Sequence, residues 1–481
     1  MKYDCAVIGS GISGLSAALL LARKNKKVAL IEKNRFLSPV LRDFRRNGIS
    51  CSPGFHYSGG FNKAGPLSVL FNYFGISEKI KVSPLPEKAF DTILLDGNRK
   101  ILFPSGIENI RDLLSSAFPS SRSAIEKYIE AIKEINNKTC FMNFEMDFGP
   151  YPEKLFRNES LEELLLKSGA EKTLIDVLGD YGYALYGSAA HEAPFYLHAL
   201  VAGSLYYSAA TVDGGGDAIS KVFEELLRKN GVDIFCENPV IAVKVDGKRI
   251  FQGVELADGK FIESRDCIST IHPRLLKNII PANAMRPVFF KKIELCENTF
   301  SPFMLFLDID KVYKNNFNTN FYRIHRRNGN ISDPDFFCAS GCAVHEKSAL
   351  AVLKPCPEET TLKFLSIAEE DYHSFKEEYS EKIISEFTDI FPEMKGRFKV
   401  LEALSPRSYQ RYTGSINGSM YGLKKTVNNA SLNPVTDIKG FYLAGQSVKI
   451  PGITGALVSA LSACCNILDP IKLWKELKQY I

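Results

Sequence analysis

The strongest constraint on this chain lies in its first residues, where an apolar run, Cys5-Ala6-Val7-Ile8, ends at Gly9-Ser10-Gly11-Ile12-Ser13-Gly14. The run reads as a strand, and Leu15 to Arg23, rich in Ala and Leu, reads as a buried helix. Strand, tight glycine turn and helix together open a dinucleotide-binding unit. Gly9 permits the turn, Gly11 lets the backbone approach a pyrophosphate, and Gly14 allows helix and strand to pack closely. The unpaired N–H groups of the helix start face the anion, so Ser10, Ile12 and Ser13 belong to the same expected site. A second strand, Lys27-Val28-Ala29-Leu30-Ile31, ends at Glu32, eighteen positions after Gly14. A carboxylate there accepts hydrogen bonds from both ribose hydroxyls and disfavours a 2′-phosphate. Lys33, next in the chain, is counted with the site.

An ADP site alone does not separate FAD from NAD, but the far end of the chain does. Gly440-Phe441-Tyr442-Leu443-Ala444-Gly445-Gln446 reads as a short apolar strand ending in a glycine. Pro451-Gly452-Ile453-Thr454-Gly455-Ala456 follows, and then an apolar helix from Leu457 towards Leu468. The partial positive charge of a helix N-terminus would stabilise the negative charge of a reduced flavin ring. Gly445, Gln446, Ile453 and Thr454 are therefore the candidate flavin contacts, and FAD is the expected cofactor.

Two further stretches are Gly54-Phe55-His56-Tyr57-Ser58-Gly59-Gly60 and Ser405-Pro406-Arg407-Ser408-Tyr409 through Tyr421-Gly422. With these the chain resembles, over nearly its whole length, the phytoene desaturase, carotenoid isomerase and retinol saturase group within the amine-oxidase-like flavoproteins. The resemblance implies an α/β fold: a Rossmann-type, glutathione-reductase-like FAD-binding domain with an inserted α+β substrate domain. It implies that Asp213-Gly214-Gly215-Gly216-Asp217 opens a helix leading through Val232-Asp233-Ile234 to a strand at Pro239-Val240-Ile241, where the Val240 backbone holds the adenine. Cys267-Ile268-Ser269-Thr270 resembles the strand that returns from that hairpin. His56, Tyr57 and Gly59 are placed beside the flavin. Two departures stand out. Relatives carry a Gly-Gly pair shortly after the ribose acid, where this chain has Ser38-Pro39-Val40, and an Asp before the flavin-facing glycine, where it has Ser52-Pro53-Gly54. A proline removes a backbone donor. Arg42, Arg45 and Arg46 are the candidates to compensate, and Arg42 is carried as a cofactor contact.

At 481 residues the chain exceeds one compact core. The FAD-binding domain is expected from 1–85, 207–280 and 400–481, and the substrate domain from 86–206 and 281–399. The first insertion should hold helices at Ile107 to Ala117, Ser123 to Asn137 and Leu161 to Ser168. The second should hold strands near Phe303-Met304-Leu305-Phe306-Leu307-Asp308 and an amphipathic helix from Asp371 to Phe387. Phe141, Phe144, Phe148, Tyr151 and Phe156, like the Tyr-, Ala- and Gly-rich stretch 181–207, read either as core or as the wall of an apolar tunnel. The segment 471–481 around Trp474 either packs on the domain or touches a membrane surface.

A net charge of +5 spread over this length gives no case for nucleic acid. Eleven irregularly spaced cysteines read as reduced, cytosolic thiols, and Cys338 and Cys342 lack the second pair that zinc needs. No apolar run approaches the length of a spanning helix and the N-terminal stretch is needed as a strand, so a cytoplasmic protein, soluble or peripherally membrane-associated, is expected.

A flavin exchanges hydride itself, which leaves the protein to position substrate, exclude water and supply at most one proton donor or acceptor. His56 and Tyr57 are the candidates for that role. His191 and His198, seven apart, are weaker ones. Arg407, Tyr409 and Tyr412 read as caps on the ring or substrate, or as structure. No Cys or His stands where a covalent tether would need it, so FAD is expected to be held non-covalently. A second fingerprint is missing, which calls for a separate electron donor or acceptor. The expected activity is FAD-dependent oxidation, reduction or isomerisation at carbon–carbon bonds of an apolar isoprenoid or polyene. Amine oxidation and a non-catalytic, flavin-bound lipid carrier are the alternatives.

Overall fold

In the computed structural model, which describes residues 2–95, 99–150, 159–326, 334–340, 347–429 and 431–481, the N-terminal fingerprint folds as its pattern requires. Lys2–Ile8 is a strand, Gly9 turns the chain at a φ of +94°, and Ile12–Arg23 is a helix. A Cβ on Gly14 would lie 1.9 Å from the Gly9 carbonyl oxygen, so helix and strand meet more closely than any side chain permits. Lys2–Ile8 sits inside a seven-stranded sheet, parallel to Val28–Ile31 on one side and to Phe261–Ser269 on the other. Asp233–Phe235 adds beyond Val28–Ile31, and Phe441–Leu443 pairs with Cys267, Ile268 and Ser269. Val240–Val245 and Phe251–Leu256 close the sheet as an antiparallel hairpin. Val28–Ile31 is buried throughout, because helices cover both faces of a parallel sheet. The helices Gly215–Lys229 and Gly452–Cys464 pack on Ile12–Arg23, so three distant pieces of chain meet on one frame.

A second seven-stranded sheet runs in the order Phe398–Leu404, Ser301–Ile309, Leu350–Cys356, Pro334–Ser340, Asn320–Arg326, Asp91–Leu94, Lys100–Phe103. Its second strand, Ser301–Ile309, is buried on both faces. Phe303 meets Phe364 and Tyr379 of the helical layer, while Phe306 meets Phe44 with ring centroids 5.2 Å apart. The first inserted stretch is mainly helical: Ile107–Ala117, Arg122–Lys138, Leu161–Lys167, Lys172–Tyr186 and Phe195–Tyr207.

One reading is corrected here, and two alternatives are decided. His191 is exposed and precedes the helix Phe195–Tyr207, so it shares no helix face with His198. His198 is a core residue: its Nε2 lies 2.7 Å from the Tyr128 hydroxyl and its Nδ1 3.1 Å from that of Tyr186. Phe141, Phe144 and Phe148 pack as core rather than as a tunnel wall. Phe144 stacks on Trp474 at 4.5 Å with planes 9° apart, Phe141 and Phe148 pack around them, and the indole N–H donates to the Met146 carbonyl at 2.8 Å. The C-terminal segment therefore turns its Trp inward rather than towards a membrane. Tyr151, Phe156 and Cys342 lie outside the described residues. Among the described residues no helix is long and apolar enough to cross a membrane, and no group of three metal-ligating side chains forms.

Candidate cofactor and substrate cavity

A cavity of about 610 Å³ joins the two sheets. One end is walled by Gly9 to Ser13, Glu32, Lys33 and Val240, its middle by His56 to Gly59, Gly445, Gln446 and Gly452 to Ala456, and its other end by apolar side chains such as Leu185, Leu200, Leu205, Phe300 and Leu353. Of the residues singled out in the sequence as cofactor contacts, only Gly14 and Arg42 stand away from it. Gly14 is spent on packing. Arg42 lies over the Phe36 ring, 3.9 Å from Asp217 and 3.7 Å from Glu224.

Gly11 behaves unlike its neighbours. A Cβ on Gly9 would collide with Thr270 Oγ1 at 2.6 Å, whereas one on Gly11 meets nothing within 4 Å. The fold itself does not need Gly11, and the open space over its backbone leaves room for a ligand. No side chain caps the helix Ile12–Arg23 or the helix Gly452–Cys464, so both present first-turn N–H groups to the cavity region. Glu32 is buried, with Oε2 accepting from the Ser10 N–H at 2.9 Å and the Ser10 hydroxyl at 2.5 Å. Its Oε1 accepts from the Asn34 N–H at 2.9 Å and the Asn34 amide at 2.7 Å. Four donors thus fix the carboxylate at the strand end, and a ribose would compete with the two side-chain donors. This donor and acceptor set, with room at Gly11, fits the ADP part of FAD.

The departure at Ser38 has a structural answer. Ser38 takes the left-handed conformation at φ +55°, where a glycine is the easier occupant. Its N–H donates to Ser10 Oγ at 3.1 Å and its hydroxyl to the Ser10 carbonyl at 2.9 Å. The polar side chain ties the turn down and offsets its strain.

The middle of the cavity is held by two bonds between the chain's two ends and one within the C-terminal part. Ser13 Oγ donates to the Ala456 carbonyl at 2.7 Å, Thr454 Oγ1 to the Gly59 carbonyl at 3.2 Å, and the Gly445 N–H to Ser459 Oγ at 3.0 Å. Gly59 rests on the helix Phe195–Tyr207, where a Cβ would stand 2.4 Å from the Ser204 carbonyl oxygen. His56 lines the cavity, and burial pulls its imidazole down to about 4, leaving it neutral at physiological pH. Tyr57 also lines it, with its hydroxyl pushed well up by burial and by Asp91. Tyr409 lines the cavity and donates to the Pro53 carbonyl at 3.0 Å; Tyr412 lines its exposed rim. Arg407 does not line it, and instead bonds the Phe364 carbonyl and Glu369 and lies over Tyr372.

Sequence reasoning missed Asp91, Tyr181 and Tyr322. Asp91 accepts from Tyr57 at 2.7 Å, Tyr181 at 2.6 Å and the Asn320 amide at 2.7 Å, and is fully buried. The available signal was one carboxylate at the head of the apolar run Asp91-Thr92-Ile93-Leu94, which reads equally well as the end of a turn.

The profile of the family described as NAD(P)-binding Rossmann-like domain matches residues 7–74. The all-trans-retinol 13,14-reductase of Danio rerio is 25% identical, over 97% of this chain and 86% of its own length. That of Homo sapiens is 24% identical over 99% and 87%. The chloroplastic prolycopene isomerase of Daucus carota is 23% identical over 96% and 78%. Among solved structures, an oxidoreductase from Methanosarcina mazei superposes with a TM-score of 0.66 at 16% identity, covering 96% of this chain and 100% of that one. Putrescine oxidase bound to putrescine does so at 0.61 and 13%, covering 97% and 99%. The chain is thus a relative of the retinol 13,14-reductases and prolycopene isomerase, built on a Rossmann-type α/β dinucleotide-binding fold with an inserted α+β region.

Proposed function

We propose that this protein is an FAD-dependent oxidoreductase acting on carbon–carbon bonds of an apolar isoprenoid or polyene. One observation carries the reading: a single cavity runs from the fingerprint and Glu32 to an apolar wall. In this assignment 1–85, 207–280 and 400–481 hold FAD, and 86–206 and 281–399 hold substrate. The pyrophosphate lies at Gly11, Ile12 and Ser13, the ribose at Glu32, the adenine at Val240, and the ring against Gly59, Gly445, Gln446, Ile453 and Thr454. Bound non-covalently there, FAD supplies two-electron hydride chemistry. The apolar wall orients the substrate and excludes water, and His56 and Tyr57 stand where a proton can be given or taken. A separate electron donor or acceptor completes the cycle. A cytoplasmic location with peripheral contact to the membrane that holds an apolar substrate belongs to the same reading.

Amine oxidation is the weaker reading. Among the described lining residues Glu32 is the only carboxylate, and it sits at the fingerprint end, so an ammonium group would find no counter-charge at the other. The test is anaerobic: oxidised and chemically reduced holoprotein are each offered a panel of polyprenoids and retinoids, and products are weighed. Loss of two hydrogens, gain of two, or unchanged mass with a shifted absorption spectrum supports the proposal and names the direction. No change with any of them, together with peroxide release from an amine panel, overturns it.

A further inference from the structure

We propose that Tyr322, Tyr57 and Asp91 form a proton relay from the cavity to a buried carboxyl store, with Tyr57 and Tyr322 at the substrate and Asp91 positioned behind them. Tyr57 and Tyr322 both line the cavity, and their hydroxyls are 2.8 Å apart. The one proton of Tyr57 is donated to Asp91 Oδ2 at 2.7 Å, so Tyr322 donates to Tyr57. These three members and Tyr181, which also donates to Asp91, come from four separate segments. Asp91 heads the strand Asp91–Leu94, Tyr322 lies on its parallel neighbour, Tyr57 on the loop tied to the helix Gly452–Cys464, and Tyr181 on the helix Lys172–Tyr186.

A buried carboxyl without a cation is costly unless it can take up a proton. The titratable groups facing Asp91 are the hydroxyls of Tyr57, Tyr181, Tyr322 and, further off, Tyr206; among the described residues no cationic side chain pairs with it. Burial pushes Asp91 up to about 6, against the opposing pull of the Tyr181, Asn320 and Tyr57 hydrogen bonds. At that value its protonation would change near pH 6. When Asp91 is protonated, rotation of the hydroxyls reverses the chain: Asp91 donates to Tyr57, Tyr57 to Tyr322, and Tyr322 to the cavity.

The relay rests on the proposed carbon–carbon chemistry. In the saturating direction a substrate π bond would break: reduced FAD, when bound, would supply a hydride with its electron pair to one carbon, and Tyr322 would give a proton to the adjacent carbon. Tyr322 is reprotonated by Tyr57 and Tyr57 by Asp91, which ends as carboxylate. Desaturation runs the same transfers backwards.

The first readout needs no turnover. Infrared difference spectra of the holoprotein between pH 4.5 and 8 should show a protonated-carboxyl band titrating near neutrality, absent in Asp91→Asn and moved in Tyr57→Phe. The second is turnover of reduced holoprotein. Asp91→Asn and Tyr57→Phe should slow product formation by about 100-fold, within the range of general acid catalysis. KM should stay unchanged, and the wild type should show a solvent deuterium effect and a pH profile that both variants lose. A carboxyl that titrates below pH 4.5, or variants with wild-type pH profiles, would overturn the relay. If the wild type turns over no polyprenoid, the functional reading fails and the infrared titration alone decides the relay.

Discussion

Gly11 and Gly14 are three residues apart in one fingerprint, and the structure gives them opposite tasks that two alanine variants separate. In Gly14→Ala the new methyl would stand 1.9 Å from the Gly9 carbonyl oxygen, and a backbone atom cannot swing aside as a side-chain end can. The helix Ile12–Arg23 must back away from its strand, and overpacking of this kind costs about 3 kcal/mol. In Gly11→Ala the methyl meets nothing within 4 Å, and the backbone at φ −58°, ψ 171° suits alanine. The apoprotein should therefore lose under about 1 kcal/mol, the scale of an N-cap change. That methyl points where the pyrophosphate would approach. Losing one or two charge-assisted backbone bonds there costs about 3 kcal/mol, or roughly 150-fold in FAD affinity. Urea midpoints of the apoproteins by circular dichroism give the first quantity, and FAD titration by quenching of flavin fluorescence gives the second. If Gly11→Ala destabilises the apoprotein as much as Gly14→Ala, or binds FAD like the wild type, the division of labour is wrong.

Two further outcomes are expected. Trp474 is the single tryptophan of the chain and is buried on Phe144, so its native emission should be blue-shifted and shielded from acrylamide. Trp474→Ala should lower stability by about 4 kcal/mol in urea unfolding, most of it lost packing and about 1 kcal/mol the bond to Met146; a change under about 1 kcal/mol would return the segment to the surface. His198 is held neutral by burial, which pulls it down from 6.5 to about 3. Because the unfolded chain takes up the proton first, the His198 contribution to stability is complete above pH 6.5 and is lost as pH falls towards 3, about 3 kcal/mol of it by pH 4. His198→Gln should flatten the fall of the urea midpoint between pH 6.5 and 4, and an unchanged slope would contradict the assignment.

What the sequence disclosed and what it hid follow from the range of the interactions. Gly9, Gly11, Gly14 and Glu32 act within one strand–helix–strand unit, where spacing alone fixes geometry, and the helix Ile107–Ala117 falls on the residues its periodicity marks. The Ser38 departure was visible, but its remedy was not. A pattern of missing donors pointed to the cationic Arg42, whereas the chain compensates with a serine that holds a glycine conformation by bonding back to Ser10. Arg42 is drawn instead to Asp217 and Glu224 on a helix nearly two hundred residues away. Its charge carries no mark of which distant acid will claim it.

Asp91 is the sharper case, because its partners lie 34, 90 and 229 residues off in sequence. Each partner is a Tyr or Asn of the kind that fills any core, so none signals the others. Only the pairing of Asp91 with Asn320 across two parallel strands, and the bond from the Thr454 hydroxyl to the Gly59 carbonyl on the Tyr57 loop, bring the hydroxyls to one carboxylate. The two halves of the site are consequently encoded differently. The half around the fingerprint is local and shows in a short motif. The half around Asp91 is a product of tertiary packing, so changes that shift the second sheet should disturb Tyr57 and Tyr322 without touching a single fingerprint residue. A variant such as Asn320→Leu tests this directly: it leaves the cradle at Gly11 and Glu32 intact and should preserve FAD affinity. It also removes one of the three donors that hold the Asp91 carboxylate, and should raise the pH at which that carboxyl takes up its proton.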